Sequence, residues 1–180
     1  MIIVLNGASS SGKSTLAAAV QAVMPVPYLT IGVDTVVFGL PRRWLNPPLW
    51  HEVYRYRETP DGLRIGGGPL GDRLMAGLHR MVAGAAGAGW DVVVDHVLLE
   101  PRWVADLEEV LAGHPVLRVG VRCPLDELER RERARGDRTV GQARAHHDVV
   151  HAVMRYDLEV DTSVTDPAGC AALIRERATG

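Results

Sequence analysis

Lysine is almost missing from this 180-residue chain: 19 of its 20 basic residues are arginine, and the single lysine is Lys13. Cysteine is scarce too. Cys123 and Cys170 stand far apart with no CxxC spacing, which removes support for a zinc site or a redox pair and leaves both as small buried hydrophobes. Nine aromatic residues, only one of them phenylalanine, are few for a chain of this length. No apolar run reaches the 18 or more residues of a membrane span, since even Leu74 to Trp90 is broken by His79 and Arg80. The opening Met-Ile-Ile-Val-Leu lacks the basic region and cleavage site of a secretory signal, so a cytoplasmic protein is expected. A net charge of -2 argues against broad binding to nucleic acid or anionic membranes. What is present, 47% hydrophobic and 23% charged residues, suits an ordinary globular protein. The length suits one domain over residues 1–180, large enough to bury roughly 70% of its unfolded surface.

Short apolar runs alternate with amphipathic stretches, the pattern of a parallel sheet covered by helices. Ile2 to Leu5, Tyr28 to Val33, Asp91 to Val94, Val116 to Val121 and Leu158 to Asp161 read as five strands. Leu16, Val20, Val23 and Met24 form one helical face, and Leu74, Leu78, Met81 and Val82 repeat that spacing. Asp106 to Leu111, Leu125 to Ala134, Gln142 to Tyr156 and Ala168 to Arg177 are further helices. The expected fold class is α/β, a three-layer sandwich around a five-stranded parallel sheet. Residues 41–71 break the alternation with five prolines and with Trp44, Trp50, Tyr54 and Tyr56. A long irregular insertion of this kind is expected to bind the acceptor, with Trp44 and Tyr54 as contacts, or else to be a surface flap.

The lysine sits in Gly7-Ala8-Ser9-Ser10-Ser11-Gly12-Lys13-Ser14, a full GxxxxGK[ST] motif between the first strand and the first helix. Backbone N–H groups from Gly7 to Thr15 are expected to face phosphate oxygens, helped by the helix dipole. Lys13 would reach the β- and γ-phosphates and the Ser14 hydroxyl would help hold Mg²⁺. Binding of a nucleoside triphosphate follows from this motif. No NKxD guanine signature is present, and the chain is short for an ATPase motor, which leaves transfer to a small molecule.

In a doubly wound sheet the active site lies beyond the carboxyl ends of the strands. Asp34 follows the second expected strand and Asp95 the third. Asp34 is read as the base that accepts a hydroxyl proton, with an N-cap for a helix starting at Thr35 as its structural alternative. Asp95 is read as a Mg²⁺ or substrate ligand, and His96 beside it as a secondary substrate contact. Further on, Glu-Arg-Arg-Glu-Arg-Ala-Arg-Gly-Asp-Arg crowds arginines into one segment. Helical pairs Asp126 to Arg130, Glu127 to Arg131 and Glu129 to Arg133 account for part of it. Arg135 and Arg138 fall outside those pairs and flank a Gly136-Asp137 turn. A helical lid at about residues 131–141 would bring Arg131, Arg135 and Arg138 over the triphosphate.

Asn6 to Ser14, Gly32-Val-Asp34, Val94-Asp95-His-Val, Val119-Gly-Val-Arg-Cys123, Ala134-Arg-Gly-Asp-Arg138 and Tyr156-Asp-Leu-Glu-Val-Asp-Thr162, in this order, resemble the chloramphenicol phosphotransferase family. The resemblance implies a P-loop kinase fold and use of ATP with Mg²⁺. It implies phosphorylation of the primary hydroxyl of chloramphenicol or a similar compound, hence antibiotic resistance, with Asp34 as base and the Arg131, Arg135 and Arg138 segment as lid. Where the family carries a second acidic residue after the strand-end aspartate, this chain has His96. Residues 41–71 are richer in tryptophan and arginine than a neutral drug requires; Arg42, Arg43, Arg55, Arg57 and Arg64 could meet an anionic or sugar-phosphate acceptor, or simply solvate a flap. Two alternatives stand beside the antibiotic kinase: a kinase for a nucleotide-sugar or shikimate-type metabolite, and a nucleotide-binding regulator without transfer activity.

Overall fold

A computed structural model describes residues 1–60, 62–135 and 141–180. Five strands, β1 (Ile2–Asn6), β2 (Tyr28–Gly32), β5 (Asp91–His96), β6 (Val116–Arg122) and β7 (Leu158–Asp161), form one all-parallel sheet in the order β2-β5-β1-β6-β7. Between β2 and β5 lie a two-stranded antiparallel hairpin, β3 (Tyr54–Thr59) and β4 (Gly62–Gly67). β1 is the central strand and every one of its residues is buried. That explains the unbroken apolar run from Ile2 to Leu5, because a parallel strand covered on both faces has no solvent side on which to place alternate polar residues.

Alternation along the strands divides the core in two. Ile2, Val4, Val92 and Val94 face one side, with Met75 and Val82 of α3 (Pro69–Gly87) and Leu107 and Leu111 of α4 (Pro101–Leu111) in the same cluster. Ile3, Leu5, Val93, Val119 and Val121 face the other, with Leu16 and Val20 of α1 (Lys13–Val23) and Cys170 and Ile174 of α7 (Pro167–Thr179). The three-layer arrangement follows from these two clusters. Each fully buried Ile, Leu or Val contributes about 1.5–3 kcal/mol relative to exposure. The mature strands run to within two residues of the sequence reading; β5 extends through Asp95 and His96, so both lie within the strand rather than after it.

Three expectations change. Residues 41–71 are not an irregular loop: short 3₁₀ turns at Arg42–Trp44 and Leu49–Glu52 lead into the hairpin, and Pro69 begins α3. The helix after β2, α2 (Val33–Val37), starts at Val33 with Gly32 as its N-cap, so Asp34 lies in its first turn and is not the cap. The helix expected to reach Tyr156 is α6 (Gln142–Val150), and it ends six residues earlier. It is preceded by α5 (Leu125–Arg135).

Candidate active site

The loop from Gly7 to Gly12 leaves the buried end of β1 and turns directly into α1. Gly12 takes φ +86°, a left-handed conformation that L side chains seldom adopt. A Cβ on Gly7 would stand 2.5 Å from the Val121 carbonyl oxygen, so the loop can start this close to β6 only with glycine. Lys13 is 6% exposed, and its Nζ donates to the Ala8 carbonyl at 2.8 Å, laying the chain across the loop. The Ser10 and Ser11 hydroxyls are buried with no hydrogen-bond partner among the described residues, unusual for buried polar atoms and well suited to an incoming phosphate.

From this loop a cavity of about 340 Å³ opens over the carboxyl ends of β2 and β5. Lys13, Ser14, Asp34 and Asp95 line it together, while Trp50, Tyr54, Tyr56 and Ile65 form an apolar side. The Ser14 hydroxyl donates to Asp95 Oδ2 at 2.6 Å. These are hard oxygen donors of the kind that Mg²⁺ takes. Tyr56 is held from two sides, accepting from Trp50 Nε1 at 3.3 Å and from Gln142 Nε2 at 3.0 Å. Hairpin, 3₁₀ turn and α6 thus meet at one phenol.

Several residues that support this geometry carried no signal in the sequence. Asn6, fully buried at the end of β1, donates to the Val150 carbonyl at 2.9 Å and to Tyr156 Oη at 2.8 Å, and accepts from the Leu98 N–H at 2.8 Å. It ties the phosphate loop to the segment after β5 and to the end of α6. Glu132, 2% exposed, accepts from the N–H groups of Gly141 at 2.8 Å and Ala143 at 2.8 Å, so a carboxylate on α5 caps the start of α6. On α6, His146 accepts from the Ser9 N–H through Nδ1 at 3.3 Å.

The predicted site residues divide. Gly7 to Thr15, Asp34, Asp95 and Tyr54 are gathered around the loop and its cavity. Trp44 does not line the cavity; Trp50 and Tyr56 do. His96 does not reach it either. Adjacent residues of a strand face opposite ways, so with Asp95 on the cavity His96 is turned into the core, where it is fully buried. There its Nδ1 accepts from the Val97 N–H at 2.8 Å and its Nε2 meets His79 Nε2 at 3.0 Å, while His79 Nδ1 meets Asp106 Oδ2 at 2.6 Å. Burial, followed by the neighbouring His79, holds the His96 imidazole well below its ordinary pKa. His79 is also lowered by burial, against the pull of Asp106.

Arg131 lies beside the phosphate loop, but its donors are taken within the chain: Nε by Glu127 at 2.6 Å, the other two nitrogens by Thr162 Oγ1 at 3.1 Å and Thr162 O at 2.9 Å. Thr162 Oγ1 in turn donates to the Ser11 carbonyl at 2.8 Å. Arg130 pairs with Glu127 rather than with Asp126, and the two guanidinium groups hold the Glu127 carboxyl down to about 2. Arg135 closes α5. Arg138 and the Gly136-Asp137 turn lie outside the described residues.

Comparison with known proteins agrees with this geometry. The chloramphenicol phosphotransferase-like family profile matches residues 1–179. A Mycobacterium tuberculosis (strain H37Rv) protein, provisionally named an O-phosphotransferase, is 35% identical over 170 residues, covering 91% of this chain and 76% of its own. Among solved structures, the tunicamycin resistance protein of Deinococcus radiodurans superposes with a TM-score of 0.67 at 16% identity, over 99% of this chain and 95% of that one. The Mycobacterium tuberculosis APS kinase, solved with AMPPNP and APS, gives 0.63 at 17% identity, over 99% and 97%. At such identities these two structures speak for the fold alone. With the profile spanning nearly every residue and a curated relative at 35% identity, the chain belongs to the chloramphenicol phosphotransferase-like family and is a P-loop phosphotransferase.

Proposed function

We propose that the chain moves the γ-phosphoryl group of ATP to a hydroxyl of a small molecule held against Trp50, Tyr54 and Tyr56. One observation carries the proposal: Lys13, Ser14, Asp34 and Asp95 converge on a single cavity that also has an apolar side. Lys13, leaving the Ala8 carbonyl, places its ammonium on the β- and γ-phosphate oxygens as a point charge. Backbone N–H groups of the loop, with the Ser10 and Ser11 hydroxyls, orient the remaining oxygens. Ser14 and Asp95 would hold Mg²⁺, which when bound neutralises charge on the transferring group. Asp34, in the first turn of α2 at the cavity edge, accepts the acceptor's hydroxyl proton.

Chloramphenicol is the first acceptor to test, ahead of neutral and anionic metabolites bearing a hydroxyl. The assay couples ADP release to detection of a monophosphate by mass spectrometry. An acceptor should raise ADP release above the ATP-only rate, and Asp34→Asn should lower turnover by about 10²–10⁴ with little change in ATP binding. ATP binding without any acceptor-stimulated turnover would replace the transferase reading with that of a regulator. An Asp34→Asn variant at full rate would remove the base assignment.

A further inference from the structure

The hairpin has a second face that phosphoryl transfer does not use. Strand alternation puts Tyr54 and Tyr56 on the cavity side and Arg55 and Arg57 on the other. In the observed register Arg57 lies directly opposite Arg64, and Arg55 opposite Gly66. Like charges directly across an antiparallel pair oppose the pairing. No described residue relieves them: Arg55, Arg57 and Arg64 are exposed, and none has an ion pair or hydrogen bond among the described residues. Acid is at hand but already engaged. Glu100 accepts from the Gly67 N–H at 3.2 Å and from Arg102 at 3.2 Å, and Arg102 also holds Asp72 at 3.1 Å.

These arginines surround a cleft of about 380 Å³ that Gly66, Gly67, Glu100 and Arg102 also line, with the Glu100 carboxylate lying against Gly66. Its walls include Ile65 and Leu99, which also line the transfer cavity. A chain with net charge -2 therefore concentrates three guanidinium groups that have no ion pair among the described residues on one concave face, where Arg102 and the single carboxylate of Glu100 join them, next to the pocket where chemistry is expected. Guanidinium forks match the geometry of phosphate and carboxylate oxygens, and a ligand of that class turns the opposed pair from mutual repulsion into a shared clamp.

We propose that this cleft is an anion site for a small molecule bearing a phosphate-type dianion, held by Arg55, Arg57 and Arg64. The dianion either belongs to the phosphate acceptor, extending from the adjoining cavity, or to a separate small molecule. The site stands apart from the phosphotransfer reading; only the assignment of its ligand to the acceptor rests on it.

The test is calorimetric titration of pyrophosphate into the chain pre-saturated with a non-hydrolysable ATP analogue and Mg²⁺, so that the phosphate loop is filled. The analogue's own titration reports separately on the ATP reading. The parent should bind one pyrophosphate saturably, more weakly as salt rises. Arg64→Glu should weaken that binding at least about tenfold. It should also hold or raise the thermal midpoint, because a glutamate opposite Arg57 replaces repulsion with attraction. A merely disrupted fold would lower both quantities, and Arg57→Gln with Arg64→Gln serves as a second, charge-removing variant. If pyrophosphate raises the KM of a phosphate-bearing hydroxyl acceptor and not of a neutral one, the dianion belongs to the acceptor. If it raises neither while still binding, the ligand is a separate molecule. No saturable binding by the parent, or affinity within about twofold of the parent in both variants, overturns the proposal.

Discussion

Removing the carboxylate of Glu132 tests how α5 and α6 are joined. In Glu132→Ala the N–H groups of Gly141 and Ala143, each 2.8 Å from a carboxylate oxygen, lose their acceptor at a position only 2% exposed. Hydrogen bonds to a charged group contribute about 1.5–3 kcal/mol each. Part of the loss is returned because an ionised carboxylate no longer has to be buried, so a net cost of about 2–4 kcal/mol is expected. That is a large share of the roughly 5–15 kcal/mol that holds a domain folded. With a urea slope of about 2 kcal/mol per molar, the midpoint should fall by about 1–2 M. Glu132→Gln should sit between, since the amide oxygen can serve one N–H while its NH₂ faces the other. Function should follow stability here, because α6 also carries Gln142 against Tyr56 and His146 against Ser9. A Glu132→Ala protein whose urea midpoint does not move would show that water replaces the carboxylate without cost, and the cap would be refuted.

Two further outcomes are expected. Lys13→Arg should reduce transfer by about 10²-fold or more with an unchanged far-ultraviolet spectrum, because a planar guanidinium does not fit where a 6%-exposed ammonium crosses the loop, and an active variant would refute this role. The melting temperature should fall as pH drops below about 6.5: His79, His96 and His151 are held neutral in the fold, His151 with its value lowered to about 4 by burial and then by Arg122, while the unfolded chain takes up protons near about 6.5. Their contribution is therefore complete above about 6.5 and is lost on the way down through the folded values. Differential scanning between about pH 7.5 and pH 5 reads it, and a flat profile would contradict buried neutral imidazoles.

The strands of the sheet were legible because continuous apolar runs leave little choice once both faces are covered. The phosphate loop was legible because its chemistry demands glycine and lysine at fixed spacing. The hairpin was hidden by its prolines, although Tyr54-Arg-Tyr-Arg already shows the period of two that a half-buried strand requires. The same period governs His96: next to an aspartate facing the cavity, a strand residue has to face the core, and His96 is fully buried there. Asn6 and Glu132 could not be found, since their partners lie 92 and 9 or more residues away and only the folded chain brings the donors to them. Trp50 outranked Trp44 through the placement of two 3₁₀ turns that composition does not encode.

Asp95 and His96 also limit how such a chain can change over time. A single residue inserted into or deleted from the middle of β5 would turn both to the opposite face, the imidazole toward the cavity and the carboxylate into the core. Length changes in that strand would thus damage the reaction and the fold at once. The 3₁₀ turns and the hairpin stand outside the five-stranded sheet and share no ladder with it. Insertions there alter the walls of the cavity proposed for the acceptor and leave the phosphate loop, Asp95 and the central strands in register, so divergence in what is phosphorylated can proceed while the means of phosphorylation stays fixed.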